Sequence, residues 1–344
     1  MAQKLTGKVA EEYAAKYPNT KTHTLARMLY DENRALYNSG EHARSTIRRI
    51  RGAAGKQNRA RVKAVPELRR PHGSGHDTFP PIPEPRKHFD THDAAELSGS
   101  KFLILSDIHS PYHDAKALEA ALQYGRENKA NHIVLNGDTF DCYSQSFWQT
   151  DPRKRDLAGE IHEGRELLAA IRARFPRAKI TFKMGNHEER WDRYLQVKAP
   201  ELLGVEEFAY ENIMQLDAHR MDFVTNKRVC KVGDLAVIHG HEYRFNISNP
   251  VNPARGFFLR AKASILAGHL HQQSHHTERT INEEFIGAWS TGCLCQLEVE
   301  YDPLGAKTKW SHGFAFVTVQ KSGRFNVRNL GISDRGVEDG GITG

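Results

Sequence analysis

Five short blocks of the chain carry residues able to hold metal ions. They are Ser106-Asp107-Ile108-His109, Gly137-Asp138-Thr139-Phe140-Asp141, Gly185-Asn186-His187-Glu188, His239-Gly240-His241 and Gly268-His269-Leu270-His271. Carboxylate, amide and imidazole donors without a thiolate suit Mn, Fe or Zn better than a soft-metal site. Each block follows an apolar run that reads as a β-strand, namely KFLILSD, HIVLNGD, KITFKMGN, LAVIHGH and ASILAGH. In an α/β sheet, ligands gather beyond the carboxyl ends of the strands, so five such ends can converge on one site. Any one block is weak evidence, since a lone histidine is more often a surface or core residue. The set, each member at a strand end and in one consistent order, points to a shared metal site.

The elements that position these blocks alternate. Helical stretches such as DAKALEAALQYGREN and GEIHEGRELLAAIRARF separate the first strands, which is an α/β rhythm from Lys101 onward. Short β-like runs later in the chain, including RVCKVGD, FIGAWSTG and HGFAFVTV, predict a second sheet packed on the first. Residues 331–344, rich in Gly and Asp, predict a flexible tail.

In their order, these blocks resemble the signature of the calcineurin-like metallophosphoesterases, a family of phosphatases, phosphodiesterases and nucleases; the match covers roughly residues 101–320. The resemblance implies an α/β, four-layer β-sandwich flanked by helices. It implies that Asp107, His109, Asp138 and His271 hold one ion, that Asp138, Asn186, His239 and His269 hold another, and that Asp138 bridges them. It implies two divalent ions, with Mn the leading candidate and Fe, Zn or Ni as alternatives. It further implies that His187 is the general acid toward the leaving group and that Asp141 orients it; a helix or turn cap is the other reading of Asp141. Arg190 and Arg244 are candidates to bind substrate phosphate oxygens bidentately, or to pair with nearby acids. His241 is a candidate for the same phosphate, or a residue that only shapes its turn. The aromatics Phe140, Tyr143, Phe147 and Trp148 either stack on a base or pack in the core.

Before the first strand the chain changes character. The net charge of +7 over 344 residues is concentrated there: residues 1–98 hold 18 Lys+Arg against 11 Asp+Glu, leaving 31 against 31 for the remainder. Apolar spacing predicts a small all-α domain over residues 1–55, with Thr22 or Thr24 capping its second helix and Ser39 or Gly40 opening a basic third. A turn followed by a short helix rich in Arg and Ser is what a helix-turn-helix DNA binder needs. Arg44, Ser45, Arg48, Arg49 and Arg51 are its candidate nucleic-acid contacts, with a helical cap or oligomerisation arm as the alternative. Residues 56–100, rich in Pro and Arg, read as a linker.

Composition excludes other classes. A hydrophobic content of 39% supplies a core. No window approaches the roughly 20 apolar residues of a membrane span, and the first residues lack the apolar stretch of a signal peptide, so a cytoplasmic protein is expected. Four cysteines build no disulfide framework, and Cys293-x-Cys295 reads as part of a strand because no second pair follows at zinc spacing. The leading expectation is a DNA-directed phosphodiesterase. A phosphatase of phosphoproteins, nucleotides or other small phosphomonoesters, and a DNA-binding protein with a vestigial metal site, are the alternatives. Oligomeric state is not legible from the sequence.

Overall fold

A computed structural model describes residues 2–52, 83–84, 92–146, 151–225, 227–242, 251–298 and 308–339. The chain divides into two compact units, residues 1–89 and 90–344.

The first unit contains α1 (Ala2–Lys16), α2 (Thr22–Glu32) and α3 (Gly40–Ile50). The three close around Ala10, Leu25, Ala26, Leu29, Tyr37, Ala43 and Ile47. Ser39 caps α3, its Oγ accepting from the His42 N–H. No side chain caps α2, whose flanking residue is Lys21, so neither predicted threonine serves there. The connection from α2 to α3 runs from Asn33 to Ser39, longer than the three- or four-residue turn of a compact helix-turn-helix. Arg44, Ser45, Arg48 and Arg49 are exposed on α3. Arg51 is not available in the same way and corrects the sequence reading: its guanidinium donates to the carbonyl oxygens of Thr20 (2.6 Å) and Tyr17 (3.0 Å), because a cation at the end of α3 meets carbonyls of the turn that follows α1.

The second unit holds two sheets. One has seven strands in the order β13-β12-β11-β2-β3-β4-β5: β2 (Lys101–Leu105), β3 (His132–Asn136), β4 (Lys179–Lys183), β5 (Asp222–Val224), β11 (Gly313–Val319), β12 (Phe325–Ser333) and β13 (Gly336–Asp339). The other has six in the order β1-β6-β7-β8-β10-β9: β1 (Ala95–Glu96), β6 (Cys230–Val232), β7 (Leu235–Ile238), β8 (Ile265–Ala267), β9 (Ser274–Arg279) and β10 (Phe285–Ser290). Alternation along the strands builds the layers. Phe102 and Ile104 of β2 pack with Val232, Leu235, Val237 and Leu266 of the other sheet. Leu103 and Leu105 turn the opposite way, toward Leu118, Ala121 and Leu122 of α4 (Ala115–Glu127) and Leu168 and Ile171 of α5 (Leu157–Arg174). The outer face of the six-stranded sheet, with Ile265 and Ala267, is covered by Ala254 and Phe257 of α6 (Pro253–Ala261). Helix, sheet, sheet, helix is therefore the layer order, as the sequence predicts.

Two boundaries shift. The segment read as linker already contributes β1, paired in parallel with β6, because the Ala95 N–H and the Leu97 N–H donate to Val229 and Lys231 carbonyls. The segment read as a tail continues β12 and returns as β13, with Ser333 opposite Gly336 and Ile332 opposite Val337. A polar composition hid these edge strands, whose side chains need only one covered face. Most of the predicted linker lies outside the described residues.

The fold also contains a buried ion pair. Lys183 Nζ, at the end of β4, lies 2.8 Å from Glu242 Oε1, with both side chains 1% exposed. Burial pushes the Glu242 carboxyl up, but Lys183 and the neighbouring histidines outweigh it and hold its pKa at about 2. Replacing Lys183 with Met leaves that carboxylate buried and uncompensated, so a loss of about 3–5 kcal/mol is expected in urea unfolding at neutral pH. Since the folded pKa is below the unfolded one, the pair's contribution is complete above the ordinary glutamate pKa and fades as pH falls toward 2. The Lys183→Met deficit should shrink correspondingly in acid.

Candidate metal centre

β2, β3 and β4 run parallel, as do β7 and β8, so their carboxyl ends deliver the five blocks to one end of the two sheets. Asp107 and His109 follow β2, Asp138 follows β3, Asn186 follows β4, His239 follows β7, and His269 and His271 follow β8.

The candidate ligands fall into two groups about one carboxylate. In the first group, His109 Nε2 and His271 Nε2 face each other 3.2 Å apart. Asp107 Oδ1 is 3.1 Å from His271 Nε2 and 4.0 Å from His109 Nε2. In the second, His239 Nε2 lies 3.2 Å from Asn186 Oδ1, and Asp138, His239 and His269 bring ligand atoms within 4.8 Å of one another. Asp138 Oδ2 serves both groups, at 3.8 Å from His109 and 3.1 Å from His239. Its Oδ1 is occupied, accepting from the His187 N–H at 2.9 Å, so a single oxygen is presented to both sides.

These residues fit a cationic pair. Asp107 and Asp138 are fully buried carboxylates that need positive partners, and two imidazole nitrogens 3.2 Å apart beside them are placed to share an ion. Burial lowers the His239 pKa, yet Asp138 and Asp107 raise it to about 10, a measure of the local demand for positive charge. Burial, reinforced by His239, pushes His269 down to about 4, which leaves that ring neutral with a lone pair available.

Backbone strain marks the same residues. Asp107, His109, Asp138, His269 and His271 have φ of 57°, 49°, 50°, 70° and 55°, five of seven candidate ligands in the left-handed region. Such conformations are uncommon outside glycine and persist only where surrounding structure enforces them. Close packing is one enforcing element: a Cβ on Gly185 would stand 2.3 Å from Asp138 Oδ1, and one on Gly137, itself at φ 85°, 2.5 Å from His239 Nδ1.

Two carboxylates that the sequence reading gave no role supply another. The fully buried Glu188 accepts from the N–H groups of Gly185 (2.8 Å), Phe140 (3.0 Å) and Asp138 (3.1 Å), tying the loop after β4 to the loop after β3. Glu242 accepts from the N–H groups of His239 and Gly240, both at 2.7 Å, and so fixes the loop after β7. The signal available in sequence was an acid directly following each of the blocks GNH and HGH. Glu188→Ala, which leaves three loop N–H groups unanswered, is expected to weaken metal affinity about 10–100-fold, read by calorimetric titration with Mn.

The catalytic candidates sit beside the first group. His187 Nδ1 donates to the Asp141 carbonyl oxygen (2.8 Å), with Asp141 Oδ1 at 3.2 Å, and its Nε2 lies 3.8 Å from Asp138 Oδ2. Burial lowers the His187 pKa, but Asp138 and Asp141 raise it overall. Asp141 Oδ1 also lies 3.0 Å from His109 Nδ1, so one carboxylate orients two histidines, and these contacts hold it ionised far below the usual range despite burial.

Three sequence-predicted substrate contacts fare differently. Arg190 is turned inward: its guanidinium donates to the Asp141 carbonyl (2.9 Å) and to His187 Nε2 (2.9 Å), so it braces the histidine beside the Asp141 carboxylate, the acid-pairing reading of the two that the sequence left open. His241 Nε2 pairs with Glu189 Oε1 at 2.9 Å with its side chain 8% exposed, so it too belongs to the scaffold. Arg244 lies outside the described residues, as do Phe147 and Trp148. Phe140 is core, stacked on Phe182, whereas Tyr143 reaches the site.

Above the two groups opens a cavity of about 220 Å³. Beyond the candidate ligands and His187, its described walls are Tyr112, Asp141, Tyr143, Cys295, Gln296, Glu298 and Trp310. The Trp310 ring meets His271 edge-on, centroids 4.1 Å apart, and Tyr112 meets Tyr143 at 6.2 Å.

Two packed sheets with oxygen and imidazole donors converging at their strand ends define a two-metal phosphoesterase. The sequence pattern of the calcineurin-like phosphoesterase family matches residues 100–286, more than half of the chain, and the protein belongs to that family. The Gene 54 protein of Mycobacterium phage L5 is 26% identical over 229 residues, covering 64% of this chain and 89% of the phage protein. Among solved structures, the chain is similar to a dimetal phosphatase from Danio rerio (11% identical, 67% of this chain and 96% of that one, TM-score 0.36) and to Yfce, a phosphoesterase from E. coli (14% identical, 69% and 96%, TM-score 0.32). Membership of the calcineurin-like phosphoesterase family makes the enzyme a metal-dependent phosphoester hydrolase. Among the described residues, no helix is long and apolar enough to cross a membrane.

Proposed function

We propose that this enzyme is a nucleic-acid phosphodiesterase that takes an unpaired nucleotide into the cavity above its metal centre. The observation that carries this reading is the character of the wall: three aromatic rings, one amide and one exposed carboxylate around the reacting centre, with no lysine or arginine among the described lining residues. Aromatic rings offer a face for base stacking, worth about 1–3 kcal/mol per base. A cavity of about 220 Å³ has room for a single unpaired nucleotide and not for a base still paired in a duplex.

When bound, two divalent ions would polarise the phosphoryl group and supply a nucleophilic water at neutral pH. The chain's own residues do the rest. Asp138 presents one oxygen to both ion positions while its other oxygen holds the His187 loop. His187 acts as general acid: Asp141 fixes its Nδ1 side, directing Nε2 toward the centre. In the described arrangement Nε2 accepts from Arg190, so acting as the acid requires Arg190 to release that nitrogen and Nε2 to take up a proton from solvent before the leaving oxygen departs. The exposed Arg44, Ser45, Arg48 and Arg49 of α3 engage DNA phosphates.

The test is hydrolysis, with Mn, of labelled single-stranded DNA, duplex DNA, bis-p-nitrophenyl phosphate and p-nitrophenyl phosphate. Single-stranded DNA and the diester should be cut well ahead of duplex, and Trp310→Ala should slow DNA far more than the small diester. Cleavage of the monoester alone would make the enzyme a phosphatase and overturn the reading. For the helical unit, replacing Arg48 and Arg49 by Ala in the full chain should lower the salt slope of DNA binding by about 2, measured by fluorescence anisotropy; an unchanged slope removes α3 from the interface.

A further inference from the structure

We infer that Cys295 is an additional ligand of the first metal position, a thiolate that biases this site toward thiophilic ions. This inference rests on the two-metal reading of the centre. Cys295 Sγ and ring nitrogens of His109 and His271 all lie within 4.8 Å of one another, and those two rings already oppose Nε2 atoms at 3.2 Å. Donors that share an ion, each roughly 2.0–2.3 Å from it, stand up to about 4.5 Å apart, so the thiol is within a small adjustment of coordination.

Its position is fixed from both sides. The Leu294 N–H donates to the Asp107 carbonyl (2.9 Å), and the Leu294 carbonyl accepts from the Asp114 N–H (2.9 Å). His312 Nε2 donates to the Cys295 carbonyl at 2.9 Å. The segment is therefore registered against the loop that carries two of the candidate ligands. Cys295 is 3% exposed and lines the cavity together with His109 and His271. Cys293 is different: its Sγ reaches back to the Ser311 carbonyl (3.7 Å), and it does not line the cavity. Coordination replaces the Cys295 S–H bond by a metal–sulfur bond and releases the proton to solvent. A thiolate among imidazoles and carboxylates shifts the preference from Mn toward Zn, Fe or Co.

Cobalt(II) provides the test because the metal alone reports its donors. Titrated into the metal-free full-length protein, it should give visible d–d bands and, from a sulfur donor, a charge-transfer band in the near ultraviolet. Cys295→Ser should lose the charge-transfer band and keep the d–d bands, while Cys293→Ser keeps both. Visible bands in the wild type without a charge-transfer band, or a charge-transfer band that survives in Cys295→Ser, would overturn the thiolate ligand and leave the two-metal centre standing. Absence of every cobalt band would overturn the centre itself, and the thiolate with it.

Discussion

Asp138→Asn is expected to abolish turnover, lowering kcat/KM for any phosphoester by at least about 10³-fold, because the change touches both halves of the centre together. One oxygen of Asp138 faces His109 at 3.8 Å and His239 at 3.1 Å. Asparagine removes the charge that two ions would share. Its amide also competes for the atom that now accepts from the His187 N–H. Calorimetric titration should show fewer than two ions bound, with the remaining one weaker. Far-ultraviolet circular dichroism should be unchanged, since Glu188 still holds the loop through the Asp138 and Phe140 N–H groups. A variant that binds two ions with wild-type affinity would show that Asp138 bridges nothing.

The second large effect belongs to His187, and its signature is a dependence on the leaving group. A general acid contributes roughly 10²–10⁴-fold when the departing oxygen is strongly basic. His187→Ala should therefore slow the cleavage of DNA, which expels an alkoxide, by about that factor. Release of p-nitrophenolate, which leaves without a proton, should be far less affected. Equal losses on both substrates would assign the His187 ring to positioning, through the Asp141 carboxylate that it shares with His109. Arg190→Ala separates the same two roles: it frees Nε2 while leaving the Asp141 contacts in place, so the acid function survives and the ring's orientation loosens.

The candidate ligands were legible in the sequence because each is local. An apolar strand followed at once by Asp, Asn or His records both the element and its chemistry within a few residues, and parallel strands then bring such ends together without further instruction. The braces were not legible. Glu188 stabilises N–H groups of a loop some 50 positions away, and nothing near it in sequence states that its carboxylate is buried. For Arg190 and His241 the sequence left phosphate binding and a structural role both open, because a cation beside a metal block suits either; the partners Asp141 and Glu189 are chosen by the tertiary fold. Edge strands at 95–96 and 336–339 escaped for a related reason. Half-covered strands need little apolar sequence, and their pairing is written in the partner. Cys295 looked like strand filling, and only the packing of its segment against the Asp107 loop turns its thiol to the cavity.

The left-handed turn at Asp138, held by Glu188, and the His239 loop, held by Glu242, have a consequence for how the enzyme is assembled. A chelator whose arms are already bent into place gives up little entropy when an ion enters. Ligands gathered by folding predict that the metal-stripped protein keeps its far-ultraviolet circular dichroism and regains activity on adding Mn; loss of that signal on stripping would show that the ions build the site.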